Sequence, residues 1–186
     1  MRIIGGSARG LHLTPVGKGD AAAHLRPTSD RVRESIFNLL INGGYGNPVQ
    51  NARVLDLFAG TGALGLEALS RGADHATFVD DGTAALTLIR RNIALMRATD
   101  TAALRRNATA MGVNLGPAFD LIFLDPPYDQ NLGGLALAAC LAGGWIASGA
   151  LIVWEERSAP VVPSGFAQID QRKYGDTVVT LLKAPE

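Results

Sequence analysis

The chain is poor in the residues that staple or metallate a fold. It has one cysteine, Cys140, among 186 residues, which excludes a disulfide framework and a cysteine-built metal site. Cys140 sits in an apolar helical stretch and reads as a small core residue. The histidines His12, His24 and His75 are dispersed, without the spacing that metal ligands need. No apolar run reaches the ~18 residues of a membrane span. Met1-Arg-Ile-Ile-Gly-Gly lacks the apolar core of a secretory leader, so a cytoplasmic protein is expected. Repeats and low-complexity tracts are absent. Formal net charge is zero, which at first argues against a nucleic-acid partner.

What is present points further. At 47% hydrophobic and 18% charged, the composition is that of a globular protein able to bury a core, and the length suits one domain with a small appendage. The charge is unevenly spread. Residues 1–35 hold Arg2, Arg9, Lys18, Arg26, Arg31 and Arg33 against Asp20, Asp30 and Glu34. This basic surplus near the start is balanced by an acidic remainder, and a local basic patch is what phosphate contact requires.

The chain is organised around Val54-Leu-Asp-Leu-Phe-Ala-Gly-Thr-Gly-Ala-Leu-Gly65. Residues 54–58 read as a strand buried on both faces. Gly60, Gly62 and Gly65 follow, then a helix over 63–71. Glycines at a strand-to-helix turn permit positive φ and close approach of a ligand to the backbone, and the helix N–H groups then face that ligand. The pattern Gly60-x-Gly62-x-x-Gly65 satisfies the dinucleotide fingerprint, so a nicotinamide cofactor stays open. Asp56, inside the strand, favours another ligand. Its carboxylate would meet a cationic amine, as the amino-acid part of S-adenosylmethionine offers, and would repel a pyrophosphate.

Residues 2–14 read as a glycine-turned hairpin, and 16–25 as a mobile loop. A helix starts after Arg26-Pro-Thr28, with Thr28 as N-cap and an apolar stripe of Val32, Ile36, Leu39 and Leu40. Residues 75–80 form a second strand ending in Asp80, placed where doubly wound folds bind ribose hydroxyls. A helix over 83–97 follows, with Leu86, Ile89, Ile93 and Met96 inward. A third strand exits at Asn107, whose amide could read adenine or simply form a turn. Residues 119–124 are a fourth buried strand, and Asp125-Pro-Pro-Tyr128 follows at once. Two prolines fix φ and force extended geometry on the residues before them, leaving rigid carbonyls beside an acid and an aromatic ring. A helix over 131–141 turns Leu132, Leu135, Ala136 and Ala139 inward. A fifth strand spans 150–154, and residues 166–173 and 177–183 form a closing antiparallel pair. Alternating strands and helices argue an α/β fold with a parallel, Rossmann-like sheet.

Four stretches together resemble the bacterial 16S ribosomal RNA guanine-N2 methyltransferases of the small-subunit head: residues 2–10, residues 26–34, Asp56-Leu-Phe-Ala-Gly-Thr-Gly62 and Asp125-Pro-Pro-Tyr128. Tyr174-Gly-Asp-Thr177 is similar too. The chain departs from that family at Asp80, where Glu is frequent, and at Asn107, where an acid is common. The resemblance implies a seven-stranded class I S-adenosylmethionine-dependent methyltransferase fold. Residues 1–27 would form an RNA-binding hairpin and loop, and 28–186 the methyltransferase domain. It implies a cofactor site of Thr28, Asp56, Phe58, Gly60, Gly62, Asp80 and Asn107, a catalytic set of Asp125, Pro126 and Tyr128, and RNA contacts from Arg2, Arg9, Arg26, Arg31 and Arg33. The implied partner is 16S rRNA in the small ribosomal subunit, approached by a monomer without a metal or an obligate protein partner. DNA adenine-N6 or protein glutamine methylation, and a non-catalytic RNA-binding module, are the alternatives.

Overall fold

A computed structural model describes residues 1–15, 29–128 and 130–186. The expected N-cap Thr28, the proposed RNA contact Arg26 and the whole of the expected loop over 16–25 lie outside the described residues. The elements run α1 (Asp30–Asn42), β1 (Arg53–Leu57), α2 (Ala63–Ser70), β2 (His75–Asp80), α3 (Thr83–Met96), β3 (Thr101–Arg105), a 3-10 turn (Ala108–Ala110), β4 (Phe119–Leu124), α4 (Leu132–Ala142), β5 (Ile146–Glu156), β6 (Ala167–Tyr174) and β7 (Thr177–Lys183). They build one seven-stranded sheet in the order β3-β2-β1-β4-β5-β7-β6. Strands β1 to β5 are parallel, β7 runs antiparallel to β5, and β6 antiparallel to β7. The Rossmann-like sheet with its antiparallel closing pair is the fold expected.

Strand residues alternate between two cores, as burial on both faces requires. Val54, Leu121 and Phe123 pack beneath α1 and α2, whereas Leu55, Leu57, Ile122 and Leu124 pack with α4 and the two tryptophans. The helix α1 begins at Ser29, whose hydroxyl accepts from Val32 N–H at 3.2 Å. Ser29, not Thr28, is therefore the N-cap. In α4 the buried residues are Gly133, Ala136, Leu137 and Cys140. Leu135 is 59% exposed, against expectation. The sequence LGGLALAACLA is apolar all round, so its periodicity does not select a face. Gly133 selects it instead, because a Cβ there would collide with the Trp154 indole.

The hairpin at the N-terminus is reduced to one antiparallel bridge, Arg2 with His12. It stays in place because it is tied to α2. Glu67, fully buried, accepts from Ile4 N–H at 2.7 Å, from Gly5 N–H at 2.8 Å and from Arg71 Nε at 2.7 Å. Arg33 Nε lies 3.6 Å from the same carboxylate. Ser70 adds two bonds, accepting from Ala8 N–H and donating to the Gly5 carbonyl. Ile3 and Leu13 complete the docking by entering the core shared with α1 and α2.

Arg33 is thus not an RNA contact. It is fully buried, and its Nη2 donates to the Arg2 carbonyl and, at 2.9 Å, to Asp30. Its place in α1 explains this, since Ile36, Phe37 and Leu40 lie three, four and seven residues on along one face. A buried charge that loses its partner is strongly destabilising. Glu67→Ala is expected to lower unfolding free energy by about 3–5 kcal/mol, read from urea denaturation. A loss below ~1 kcal/mol would mean that the hairpin and Arg33 are held by other contacts.

Candidate functional site

Three of the parallel strands, β2, β1 and β4, end at one edge of the sheet. Strand order reverses between β1 and β4, since the chain runs outward from β1 through β2 to β3 and then returns to β4. Such a switch point opens a crevice at the carboxyl ends of the strands. Both sequence motifs lie there. Leu57 is paired with Leu124, so the glycine loop leaves one side of the crevice and Asp125-Pro-Pro-Tyr128 the other.

The chain leaves β1 through Phe58, whose φ of +58° is unusual for a bulky residue. Gly60 and Gly62 then adopt φ of +56° and +76°, conformations open to glycine at little cost. Gly62 is the N-cap of α2 and brings no side chain to the orphan N–H groups there. Asp56 does that work from the strand, its Oδ2 accepting from Gly65 N–H at 2.9 Å. A Cβ at Gly65 would meet the Phe78 ring and come within 3.1 Å of that same oxygen, so glycine is needed for the contact.

Two further side chains hold the loop. Asp80 at the end of β2 accepts from Gly60 N–H at 2.9 Å and from Gly82 N–H at 2.8 Å. Asn92 in α3, fully buried, donates to the Thr61 carbonyl at 2.9 Å and accepts from Thr14 N–H at 2.8 Å. Asn92 escaped the sequence reading, whose only available signal was an amide on the apolar side of α3. The cradle is therefore fixed from β1, β2 and α3 together.

Its electrostatics are unusual. Asp56 is 1% exposed, and burial pushes its carboxyl up to about 8, with Gly65 N–H opposing the shift and Asp80 adding to it. Burial raises Asp80 too, against the pull of the Gly82 and Gly60 N–H groups. Two carboxyls that resist ionisation at one loop suit a ligand bringing positive charge and hydroxyl donors. They do not suit a pyrophosphate. Asn107 lies at the exit of β3 and caps the 3-10 turn, its amide oxygen accepting from Thr109 N–H at 2.8 Å. The turn-forming reading of Asn107 describes its oxygen.

Across the crevice, Asp125 and Tyr128 are half-buried and Pro126 is buried. The Tyr128 hydroxyl donates to Glu155 Oε1 at 3.2 Å and lies 3.5 Å from Thr177 Oγ1. Burial raises its pKa to about 12. Strand β5 thus reaches this site through Glu155, another acid absent from the sequence-based set. Cys140 is buried elsewhere, within the α4 core, and burial pushes its thiol up to about 12.

Of the proposed RNA contacts, Arg2, Arg9 and Arg31 are exposed and together line a cleft of about 280 Å³ between the hairpin and α1. Asp30 and Glu34 line it as well. The cleft shares no lining residue with the glycine loop or the Asp125 turn. Among the described residues, no helix is long and apolar enough to cross a membrane.

The chain is similar to several known proteins in sequence and in fold. The ribosomal RNA small subunit methyltransferase D of Escherichia coli is 36% identical over 184 residues, covering 97% of this chain and 88% of that protein. The protein of the same description from Haemophilus influenzae is 33% identical over 181 residues, covering 94% and 89%. Among solved structures, yhhF of E. coli superposes with a TM-score of 0.83 at 32% identity over 100% of this chain and 98% of that one. The N-methyltransferase NodS of Bradyrhizobium japonicum, solved with S-adenosylhomocysteine, shares the fold at a TM-score of 0.65 and 11% identity, covering 92% and 94%. The family described as Conserved hypothetical protein 95 matches residues 1–183, and with this fold and these relatives the chain belongs to that family.

Proposed function

We propose that this chain methylates the exocyclic N2 amine of one guanine in 16S ribosomal RNA, with the assembled small subunit as substrate. The observation that carries the reading is the Leu57–Leu124 pairing, which sets a loop built for a cationic amino acid beside a rigid pair of hydrogen-bond acceptors. S-adenosylmethionine supplies a sulfonium methyl group when bound. Asp56 would hold its amine, Gly60 and Gly62 would admit its methionine portion, and Asp80 would take its ribose. Phe58, Asn107 and Thr28 complete the proposed set.

The acceptors do the remaining chemistry. A guanine amine is a poor nucleophile because its lone pair is delocalised into the ring. Asp125 and the Pro126 carbonyl would accept its two N–H bonds, favouring a pyramidal nitrogen whose lone pair points at the methyl carbon. As the N–C bond forms and the S–C bond breaks, the acceptors stabilise the charge growing on nitrogen. The surplus proton leaves through Asp125 to solvent. Tyr128 would stack on the extruded base, and extrusion costs a few kcal/mol. Fixing nitrogen and methyl in line supplies much of the rate. Arg2, Arg9, Arg31 and Arg26 are the proposed phosphate contacts, with residues 1–27 as the RNA-binding segment of a cytoplasmic monomer.

Two experiments test the reading. Mass mapping of 16S RNA from cells lacking the protein is expected to show loss of one N2-methylguanine, restored by the wild type. Asp125→Ala is expected to fail to restore it, with turnover down by at least about 10²-fold and S-adenosylhomocysteine affinity kept. An unchanged methylation map would refute the substrate, and turnover retained in the variant would remove Asp125 from the chemistry.

The raised carboxyl of Asp56 gives a second measurement. Its folded-state pKa of about 8 lies above the ordinary value of 3.8, so the folded ligand-free protein binds this proton more tightly than the unfolded chain. Asp56 therefore contributes a fall in stability as pH rises from about 4 to about 8, by at most ~1.4 kcal/mol per unit. Asp56→Asn is expected to flatten that slope in urea denaturation. S-adenosylhomocysteine carries the same amine, and its affinity for the wild type is expected to climb between about pH 6 and 8 as Asp56 ionises. Equal pH profiles for wild type and variant would remove Asp56 as the amine partner.

A further inference from the structure

We propose that Glu155 is a positioning residue that fixes the direction and far end of the Tyr128 ring for the extruded base, an inference that rests on the methyl-transfer reading above. Glu155 is 3% exposed near the end of β5. Leu124 is paired with Trp154, so Asp125 and Glu155 follow at neighbouring positions where β4 and β5 end. From there Glu155 Oε1 accepts the Tyr128 hydroxyl at 3.2 Å. Thr177 opens β7, which pairs with β5 through Glu156 and Val178, and its hydroxyl lies 3.5 Å from the same phenol. The Arg157 guanidinium carbon is 5.7 Å from the ring centroid.

A buried carboxylate is costly and survives only where it is bonded. A sheet end that needed only filling would be served as well by leucine. A tyrosine that only stacked would be served by phenylalanine. The two costs are explained together if the hydroxyl is an anchor. Pro126 and Pro127 stiffen the backbone just before the ring, Glu155 holds its far end, and the direction of the ring is set before any base arrives. Preorganisation of this kind lowers the entropy lost on binding. The phenol stays protonated through the neutral range because burial raises its pKa, so it remains the donor.

A kinetic double-mutant cycle on the intact protein tests this, using small subunits lacking the methyl group. Tyr128→Phe and Glu155→Leu are each expected to raise KM for the subunit about five- to tenfold, part of what a base–aromatic stack contributes. The double variant is expected to be no worse than either single one, since both remove the same bond. S-adenosylhomocysteine affinity of Tyr128→Phe should match the wild type. Glu155→Gln, whose amide oxygen can still accept, should recover most of the KM lost in Glu155→Leu. Multiplying effects in the double variant, or a wild-type KM in Tyr128→Phe, would overturn the anchoring role; the Tyr128→Phe result stands even if Glu155→Leu fails to fold. Failure of the parent reading looks different: wild-type protein would then methylate no guanine in the subunit.

Discussion

A carboxylate removed from water must be surrounded by donors, and in this protein that requirement organises the N-terminal third. Glu67 collects two backbone N–H groups from the hairpin, the Arg71 guanidinium and the charge of Arg33. Through it the first residues of the chain, α1 and α2 become one body. Helix α2 in turn begins at the glycine loop, where Asp56 bonds to Gly65 N–H. Displacing the hairpin would therefore disturb the support of the loop. Asn92 makes the same connection from the other side, joining Thr14 to Thr61. The basic hairpin and the cofactor loop are mechanically continuous, although 46 positions separate Thr14 from Gly60 in the chain.

The parts of the fold that could be read from the sequence are those where local pattern and tertiary burial agree. The strands at 75–80 and 119–124 are apolar runs bounded by turn residues, and they appear with those bounds. Disagreement arises where a residue type and its position conflict. By charge Arg33 belongs with the surface arginines, whereas its spacing from Ile36, Phe37 and Leu40 places it inward. Leu135 shows the opposite failure. In a helix without a polar face the apolar pattern carries no direction, and the packing of Gly133 on Trp154 decides.

The site divides in the same way. The glycine loop and the proline turn announce themselves because their backbone geometry demands particular residues. Glu67, Asn92 and Glu155 do not, because, Arg71 apart, each takes its role from partners 27 to 78 positions away. What the sequence did offer was anomaly: one acid in ALGLEALS, one amide inside α3, and acids directly after the apolar run ending in Trp154. A lone polar residue within an apolar segment is a sign that a partner is waiting elsewhere in the fold.

The two prolines after β4 have a consequence beyond stiffness. Neither carries an N–H, so after Asp125, whose N–H still reaches the Leu57 carbonyl at 3.5 Å, the chain offers no donor for two residues and the ladder toward β1 or β5 stops. A one-residue slip of β4 would also drive its buried side chains onto the wrong faces of the sheet. Termination and register are thereby locked to the same residue in every folded molecule. The atoms that would meet an incoming base inherit their coordinates from the end of a strand, without a flexible segment to average them.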